Sequence, residues 1–111
     1  MRVLVFESNL FWSSRLLKTL RELGFDSRLV GPRERAPFEG EVALVNLGVP
    51  EYLAVIPNLR ESGMYVIGHA GHKEKELREL GRQAGCDRIA SNSEMTFKLK
   101  ELLLEAQGSG T

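Results

Sequence analysis

The stretch Val42-Ala-Leu-Val-Asn-Leu-Gly-Val-Pro50 decides the fold of this chain of 111 residues. Val42–Leu47 is a short, mostly apolar run, which is typical of a strand buried on both faces of a parallel sheet. Pro50 predicts that a helix begins directly afterwards, because a proline in the first turn loses no helical hydrogen bond. We expect Pro57 to kink or end that helix. A buried strand followed at once by a helix is the building unit of an α/β fold.

The same unit occurs toward the amino terminus. Arg2–Phe6 predicts a buried strand, and Ser8 or Asn9 can cap the helix that follows. Gly24 predicts the end of that helix. The residues expected to face the core recur at helical spacing: Ser13, Leu16, Leu17, Leu20 and Leu23.

The middle of the chain departs from a regular alternation. Asp26–Val30 predicts a second strand, which is weaker because Arg28 interrupts it. Gly31–Gly40 contains two prolines and two glycines and therefore predicts a loop rather than a full helix. We expect the sheet face that such a helix would cover to be partly open.

The remaining segments continue the alternation of strands and helices. The predicted elements are a strand at Tyr65–Gly68, a helix at Lys73–Gln83 with Leu77 and Leu80 facing inward, a stop at Gly85, a strand at Arg88–Ala90, a helix at Glu94–Ala106, and a flexible tail from Gly108. Five strands alternating with helices predict a parallel sheet covered on both faces. We expect one α/β domain at 1–107 and a tail at 108–111.

Composition restricts the classes of function. Fifteen basic and fifteen acidic residues give a net charge of zero, so no long-range field attracts nucleic acid or an anionic membrane. Cys86 is the sole cysteine, which indicates a reducing compartment. No apolar run approaches the roughly 20 residues that a transmembrane helix needs, and the amino terminus does not resemble a signal peptide. A cytoplasmic protein is expected.

Parallel α/β sheets bind ligands at the carboxyl ends of their strands. The residues that follow the first, third and fourth predicted strands are Glu7, Ser8, Asn46, Gly48, His69 and Ala70. These positions form the candidate site.

The order of elements resembles the receiver domain of bacterial response regulators over nearly the whole chain. Four segments carry the resemblance: Arg2-Val-Leu-Val-Phe-Glu-Ser-Asn9, Val45-Asn-Leu-Gly-Val-Pro50, Val66-Ile-Gly-His-Ala70 and Ala84-Gly-Cys-Asp87. The resemblance implies a flavodoxin-like, doubly wound sheet of five parallel strands in the order 2-1-3-4-5, here with the second helix shortened or absent.

The resemblance also implies a phosphorylation site that this chain has lost. Receivers use an acidic pair for Mg²⁺, a phosphoacceptor aspartate, a hydroxyl group and a lysine, because transfer to a carboxylate needs an ionised nucleophile and a cation. The corresponding positions here are Glu7 and Ser8, Asn46, His69 and Asn92. We therefore expect a phosphorylation-independent module for protein interaction in bacterial signalling, with no enzymatic activity, metal or cofactor.

Other functions for the same residues stay open. The altered pocket, with neutral hydrogen-bonding groups at Asn46, His69 and Asn92, is an alternative site for sensing a small molecule or an ion. A metal site from Glu7, His69 and His72 is disfavoured, because the histidines lie in a glycine-rich loop. A hydrolase using Ser8 and His69 lacks a nucleophile elbow.

The last predicted helix suggests an interaction surface. A stripe of Met95, Leu99, Leu102, Leu103 and Ala106 is expected to face the sheet. Phe97 and Leu104 lie about 20° apart on the opposite side if the helix is continuous. We expect a homodimer or a partner contact there. Phe11, off the core stripe of the first helix, and Trp12 at its edge are further candidates to meet a partner or cover the pocket.

Overall fold

The computed structural model describes residues 1–108, and its centre is a sheet of five parallel strands. They are β1 (Arg2–Phe6), β2 (Asp26–Val30), β3 (Val42–Asn46), β4 (Tyr65–Ala70) and β5 (Arg88–Ser91). The strand order is β2-β1-β3-β4-β5, with parallel pairing throughout. This confirms the predicted flavodoxin-like topology.

Five helices cover the sheet. They are α1 (Leu10–Glu22), α2 (Pro50–Glu61), α3 (Lys75–Ala84), α4 (Asn92–Phe97) and α5 (Leu99–Gly108). The connection between β2 and β3, over residues 31–41, contains no helix, as predicted. Strands end slightly differently from the expected bounds: β3 stops before Leu47, β4 extends through His69 and Ala70, and β5 extends through Ser91.

The central strands are buried on both faces. Residues Val3 to Phe6 of β1 and Val42 to Val45 of β3 are at most 1% exposed. One face packs against α2 and α3, with Leu4, Phe6 and Val45 in its cluster. The other packs against α1, α4 and α5. This two-sided burial explains why these strands read as continuous apolar runs.

A loop replaces the helix that is missing between β2 and β3. Phe38 of this loop is buried and packs edge-to-face on Phe6, with ring centroids 5.4 Å apart. Tyr52 packs on Phe6 in the same way at 5.6 Å, and its hydroxyl donates to the Val30 carbonyl at 2.8 Å. The Leu4 side chain lies close to Gly40, where an added Cβ would come within 3.0 Å of it. The loop and Tyr52 of α2 therefore cover this face of β1 together.

The edge strand β2 needs no covering helix on this face, because two of the residues exposed there are charged. Asp26 and Arg28 alternate with half-buried residues and are exposed. Arg2 pairs with Asp26 at 3.0 Å, and Arg28 pairs with Glu34 of the loop. Only Val30 at the end of the strand is buried. The face is thus partly open, as expected, but at polar rather than apolar residues.

The first helix begins as the sequence predicts. Asn9, rather than Ser8, is the cap, and its side chain accepts from the backbone N–H of Trp12 at 3.1 Å. Gly24 follows the helix with a positive φ of 87°, which glycine adopts without strain.

Of the two outcomes predicted for Pro57, a kink or an end of the second helix, the end is wrong. α2 continues to Glu61 with Pro57 inside it and exposed. Proline removes one backbone donor from the helix, but Tyr52, Ile56 and Leu59 bury one side of α2 against the sheet. Burial of that apolar face stabilises the helix by more than the lost hydrogen bond costs.

The prediction for the inward face of α3 is correct for Leu77 and wrong for Leu80. α3 runs from Lys75 to Ala84, and Leu77 packs against the core, but Leu80 is 43% exposed. Gly81 is the buried residue instead, and an added Cβ there would lie 2.7 Å from the Leu47 side chain. The helix backbone therefore approaches the sheet closely at Gly81, which turns Leu80 outward.

The predicted last helix is two helices. α4 starts earlier than expected because Ser91 and Glu94 form a capping box. Lys98 leaves helical dihedrals (φ −127°, ψ 22°) and separates α4 from α5. Arg88 of β5 pairs with Glu94 at 2.9 Å and with Glu105 at 3.2 Å, which ties both helices to the sheet.

The core stripe of this region is as predicted, since Met95, Leu99, Leu102, Leu103 and Ala106 are all buried. The predicted angular relation of Phe97 to Leu104 assumed one continuous helix and does not hold across the break. Gly108, assigned to the tail from the sequence, is the last residue of α5. The rest of the predicted tail, 109–111, lies outside the described residues. Within residues 1–108, the structure contains no helix of the length and apolarity needed to cross a membrane.

Phe38→Ala is expected to lower the free energy of unfolding by about 3 kcal/mol, near the low end for a buried phenylalanine because a loop can partly relax. Denaturant unfolding measures this loss. Phe11→Ala is the matched control, since Phe11 is 68% exposed, and should change stability by at most about 0.5 kcal/mol. Equal effects of the two substitutions would contradict the covering role of the loop.

Candidate functional site

The strand register brings Glu7, Asn46 and His69 together. Asn46 is the last residue of β3 and pairs directly with His69 of β4. Glu7 follows Phe6, whose register partner is Val45 of β3. The three side chains therefore meet at the carboxyl edge of the sheet, where the sequence placed the candidate site.

Glu7 is a buried acidic residue, only 3% exposed. Its Oε2 accepts from the Asn46 side-chain amide at 2.9 Å and from the backbone N–H of Asn9 at 3.1 Å. Burying a carboxylate is costly unless hydrogen bonds satisfy it. Two N–H donors, one from a neighbouring strand and one from the cap of α1, meet that need at Oε2, and neither of them reaches Oε1.

The Asn46 amide acts as a bridge. Its Nδ2 donates to Glu7, while its Oδ1 accepts from the Gly48 backbone N–H at 2.9 Å. This arrangement requires both a donor and an acceptor on one side chain, which an amide has and a carboxylate lacks. Asn46 therefore joins β1 to the turn that leads into α2.

His69 is buried and incompletely bonded. Its side chain is 8% exposed, and Nε2 lies 3.9 Å from Glu7 Oε1, too far for a hydrogen bond. Within residues 1–108, Nε2 has no hydrogen-bond partner. Burial lowers the pKa of His69 below its usual range, against the opposing effects of the Glu7 charge and the Asn92 side chain. The ring is therefore neutral near pH 7.

These groups line a cavity of about 150 Å³ at the carboxyl edge. Its lining residues are Glu7, Trp12, Leu16, Asn46, His69, Ala70, Glu74, Asn92 and Met95. Among the predicted positions, Glu7, Asn46, His69, Ala70 and Asn92 are thus brought together. Ser8 and Gly48 are exposed and do not line the cavity.

Leu16, Glu74 and Met95 were missed as lining residues. Leu16 and Met95 follow the core periodicity of their helices, so nothing in the sequence separates them from other core positions. Glu74 offers a weak signal, an acidic residue directly before α3, whose carboxylate accepts from the Gly71 backbone N–H at 2.8 Å.

The residues present do not fit Mg²⁺, which prefers several carboxylate and water oxygens in an octahedron. Glu7 is the one buried carboxylate lining the cavity, and its Oε2 already accepts two N–H bonds. Across residues 1–108, no three His, Cys, Asp or Glu side chains cluster in a way that would hold a metal ion. His72, considered with His69 and Glu7, is exposed.

The candidate interface residues lie at the surface, with one exception. Phe97 is 79% exposed, Leu104 53% and Phe11 68%. Trp12 is half-buried and lines the cavity, whereas Phe11 does not. The Arg15 guanidinium lies 5.7 Å from the centre of the Phe11 ring and 5.6 Å from that of Trp12.

Two other features do not mark a site. Burial is the main cause that raises the pKa of Cys86 to about 11, so its thiol is protonated near pH 7 and unreactive. A larger cavity of about 620 Å³ includes Arg60, Asp87 and Tyr65, at the opposite edge of the sheet. Arg60 and Asp87 pair with each other at 2.9 Å, and Asp87 accepts from the Val66 backbone N–H.

Solved receiver structures share this fold. The response regulator receiver protein from Burkholderia phymatum aligns with a TM-score of 0.79 at 13% identity, covering 96% of this chain and 94% of its own. The receiver domain of the Francisella response regulator 1452 gives 0.74 at 17% identity, covering 96% and 93%. NtrX from Brucella abortus gives 0.79 at 14% identity, and the match covers 97% of this chain and 27% of NtrX.

Neither a protein-family model nor a curated protein sequence matches the chain. The similarity is therefore one of three-dimensional structure, at sequence identities that are low throughout. The strand order, the helices on both faces and the alignment over nearly all residues agree with one another. This chain has the fold of response-regulator receiver domains.

Proposed function

We propose that this chain is a receiver-like regulatory module that acts through protein contacts in bacterial signalling and does not depend on phosphorylation. The observation that carries the proposal is the Asn46–Glu7 hydrogen bond at the carboxyl edge. In receivers this position is a phosphoacceptor aspartate beside an acidic pair. An amide is a poor nucleophile, and here its donor is already bound to Glu7.

The other altered positions support the same proposal. Ser8, which stands for the second acid, does not line the cavity. No lysine or arginine is among the lining residues, and Asn92 stands where receivers place a lysine. A phosphoryl group carries negative charge, so a cavity with Glu7 and Glu74 and no cation disfavours it.

Apolar exposure supports a role in protein contacts. Four of the six large apolar residues exposed in residues 1–108 are Leu10, Phe11, Phe97 and Leu104. All four lie on α1, α4 and α5, the helices that cover one face of the sheet. Exposed apolar groups concentrated on one side of a small domain favour an interaction surface. We propose a homodimer or a protein partner on this side.

A second candidate function is the sensing of a small ligand in the cavity. The unpartnered Nε2 of His69 is the observation that favours it, because buried polar groups in folded proteins are rarely left unbonded. The interaction surface and the cavity are separate features, so the two functions are compatible.

Incubation with acetyl phosphate and Mg²⁺ is expected to give no phosphorylated protein, because the nucleophile, the second acid and the lysine are all missing. Intact-mass spectrometry measures the outcome. A stoichiometric phosphorylated species that disappears in Asn46→Ala would contradict the proposal.

Asn46→Asp alone should also take up no phosphoryl group, since it replaces the donor that now binds Glu7 with a second carboxylate. Glu7→Asp, Ser8→Asp, Asn46→Asp and Asn92→Lys together restore the acidic pair, the acceptor and the lysine, with His69 unchanged, and this variant serves as the comparison. Rapid Mg²⁺-dependent phosphorylation of Asn46→Asp by itself would show that the site is less altered than proposed.

The wild type is expected to self-associate as its concentration rises, and Leu104→Lys should weaken this. Each buried Phe or Leu contributes up to about 1.5–3 kcal/mol, offset by the cost of association. Light scattering over a concentration series measures the effect. Leu80→Lys is the matched control, an exposed leucine on α3 and the opposite face. Self-association that Leu104→Lys leaves intact, or that is missing in the wild type, would count against a homodimer.

The stability of the wild type is expected to fall as pH drops from roughly 7.5 to 5.5, and His69→Gln should fall less. The folded pKa of His69 lies below the unfolded value. At a pH between the folded and the unfolded pKa of His69, the unfolded chain binds more protons than the folded chain. Lowering the pH therefore favours unfolding. Glu7 and Glu74 are the charged groups at the cavity, and both proteins share them.

Denaturant unfolding across this pH range measures the difference between the two proteins. His72 is present in both, and Glu34 and Glu94, whose pKa values are lowered, titrate below the range. Identical pH dependence in wild type and variant would show that His69 is not held neutral.

A further inference from the structure

Two potential hydrogen-bond acceptors face the same cavity without bonding to each other. His69 Nε2 and Glu7 Oε1 are 3.9 Å apart, and both residues are more than nine-tenths buried. The two N–H donors that reach Glu7 both bind its other oxygen, Oε2. A neutral imidazole protonated at Nδ1 presents a lone pair at Nε2. A group with at least two N–H donors can therefore satisfy both atoms from inside the cavity.

The charge of the lining favours a cationic donor. Glu7 and Glu74 are both carboxylic residues, and the lining contains neither lysine nor arginine. Arg15 contacts the Trp12 ring but is not a lining residue. Within the described part of the chain, both N–H donors of Glu7 bind Oε2, and no lysine or arginine pairs with this carboxylate. A positive charge in the cavity would complement it.

The size and walls of the cavity restrict the ligand further. Its volume of about 150 Å³ lies below the roughly 300–1,000 Å³ of typical ligand pockets. Trp12, Leu16 and Met95 supply apolar surface beside the polar groups. Such a site suits an ammonium group on a short carbon chain, and the metal alternative lacks the three clustered ligands it would need in residues 1–108.

We propose that this cavity binds a small primary amine in its ammonium form, whose N–H groups donate to His69 Nε2 and to Glu7. This inference rests on the ligand-sensing candidate described above and names the class of ligand. The Asn46 and Asn92 amides flank the site, and an aromatic wall at Trp12 adds attraction for a cation. Binding does not require the exposed face of α1, α4 and α5.

The test is a titration of the ¹⁵N-labelled full chain with ethylamine hydrochloride, followed by NMR in phosphate buffer, since Tris is itself a primary amine. Saturable shifts of the Asn46 and Asn92 side-chain amides are expected. Ethanol has a similar size and no charge, and tetramethylammonium has charge and no N–H donor. Neither should give saturable shifts, and sodium chloride at equal ionic strength should give none.

Glu7→Gln and His69→Leu should each weaken ethylamine binding by at least about tenfold, with dispersed spectra showing that they are folded. Glu79→Gln, at an exposed carboxylate outside the cavity, should bind like the wild type. If either cavity variant does not fold, the comparison of the three small molecules with the wild type still decides the proposal.

Ethanol saturating the same amides as tightly as ethylamine would overturn the amine assignment while leaving ligand sensing in place. No saturable shift with any of the three molecules would count against both. Neither result bears on the interaction surface, because light scattering of Leu104→Lys measures that separately.

Discussion

Strands β1 and β3 are apolar on both of their faces. The rest of the structure depends on burying these two faces, which the helices and the loop at 31–41 do. Leu4, Phe6 and Val45 face one side, while Val3, Val5 and Leu44 face the other. Amphipathic helices meet that need for most of the sheet. On the face that a helix between β2 and β3 would cover, Phe38 of the loop and Tyr52 of α2 pack on Phe6. The charged residues of β2 reduce the apolar surface that needs covering, so a short loop is sufficient.

The same parallel arrangement creates the candidate site. Parallel strands all end at one edge, so Glu7, Asn46 and His69 meet there although they are far apart in sequence. In this position the buried groups, Glu7 and His69, need hydrogen-bond partners, because burying an unpaired polar group is costly. Asn46 satisfies Glu7 and the turn after β3 at once. Among residues 1–108, Nε2 of His69 has no hydrogen-bond partner, and this distinguishes the cavity from a network in which every polar group is paired.

The proposed functions divide between two regions of the molecule. The cavity lies at the carboxyl edge, and its buried polar groups are suited to a small ligand. Four of the six large apolar side chains that are exposed in residues 1–108 lie on α1, α4 and α5, on the outside of one layer. α4 connects the two regions, because Asn92 and Met95 line the cavity while Phe97 is at its exposed end. This short helix is therefore part of both regions.

Sequence alone determined the strand order expected from the receiver resemblance, the loop at 31–40 and the meeting of Glu7, Asn46 and His69. The strand order is what that resemblance implies, whereas the loop and the meeting of the three side chains follow from local signals, namely apolar runs, a cap at Ser8 or Asn9 and the clustering of proline and glycine. Tertiary structure decided the features that depend on packing. α2 continues through Pro57 because Tyr52, Ile56 and Leu59 bury its inner face. In α3, Gly81 rather than Leu80 faces inward, because the Leu47 side chain lies too close to the helix for a larger residue. The break at Lys98 and the unbonded nitrogen of His69 likewise depend on contacts between distant segments, which local patterns do not encode.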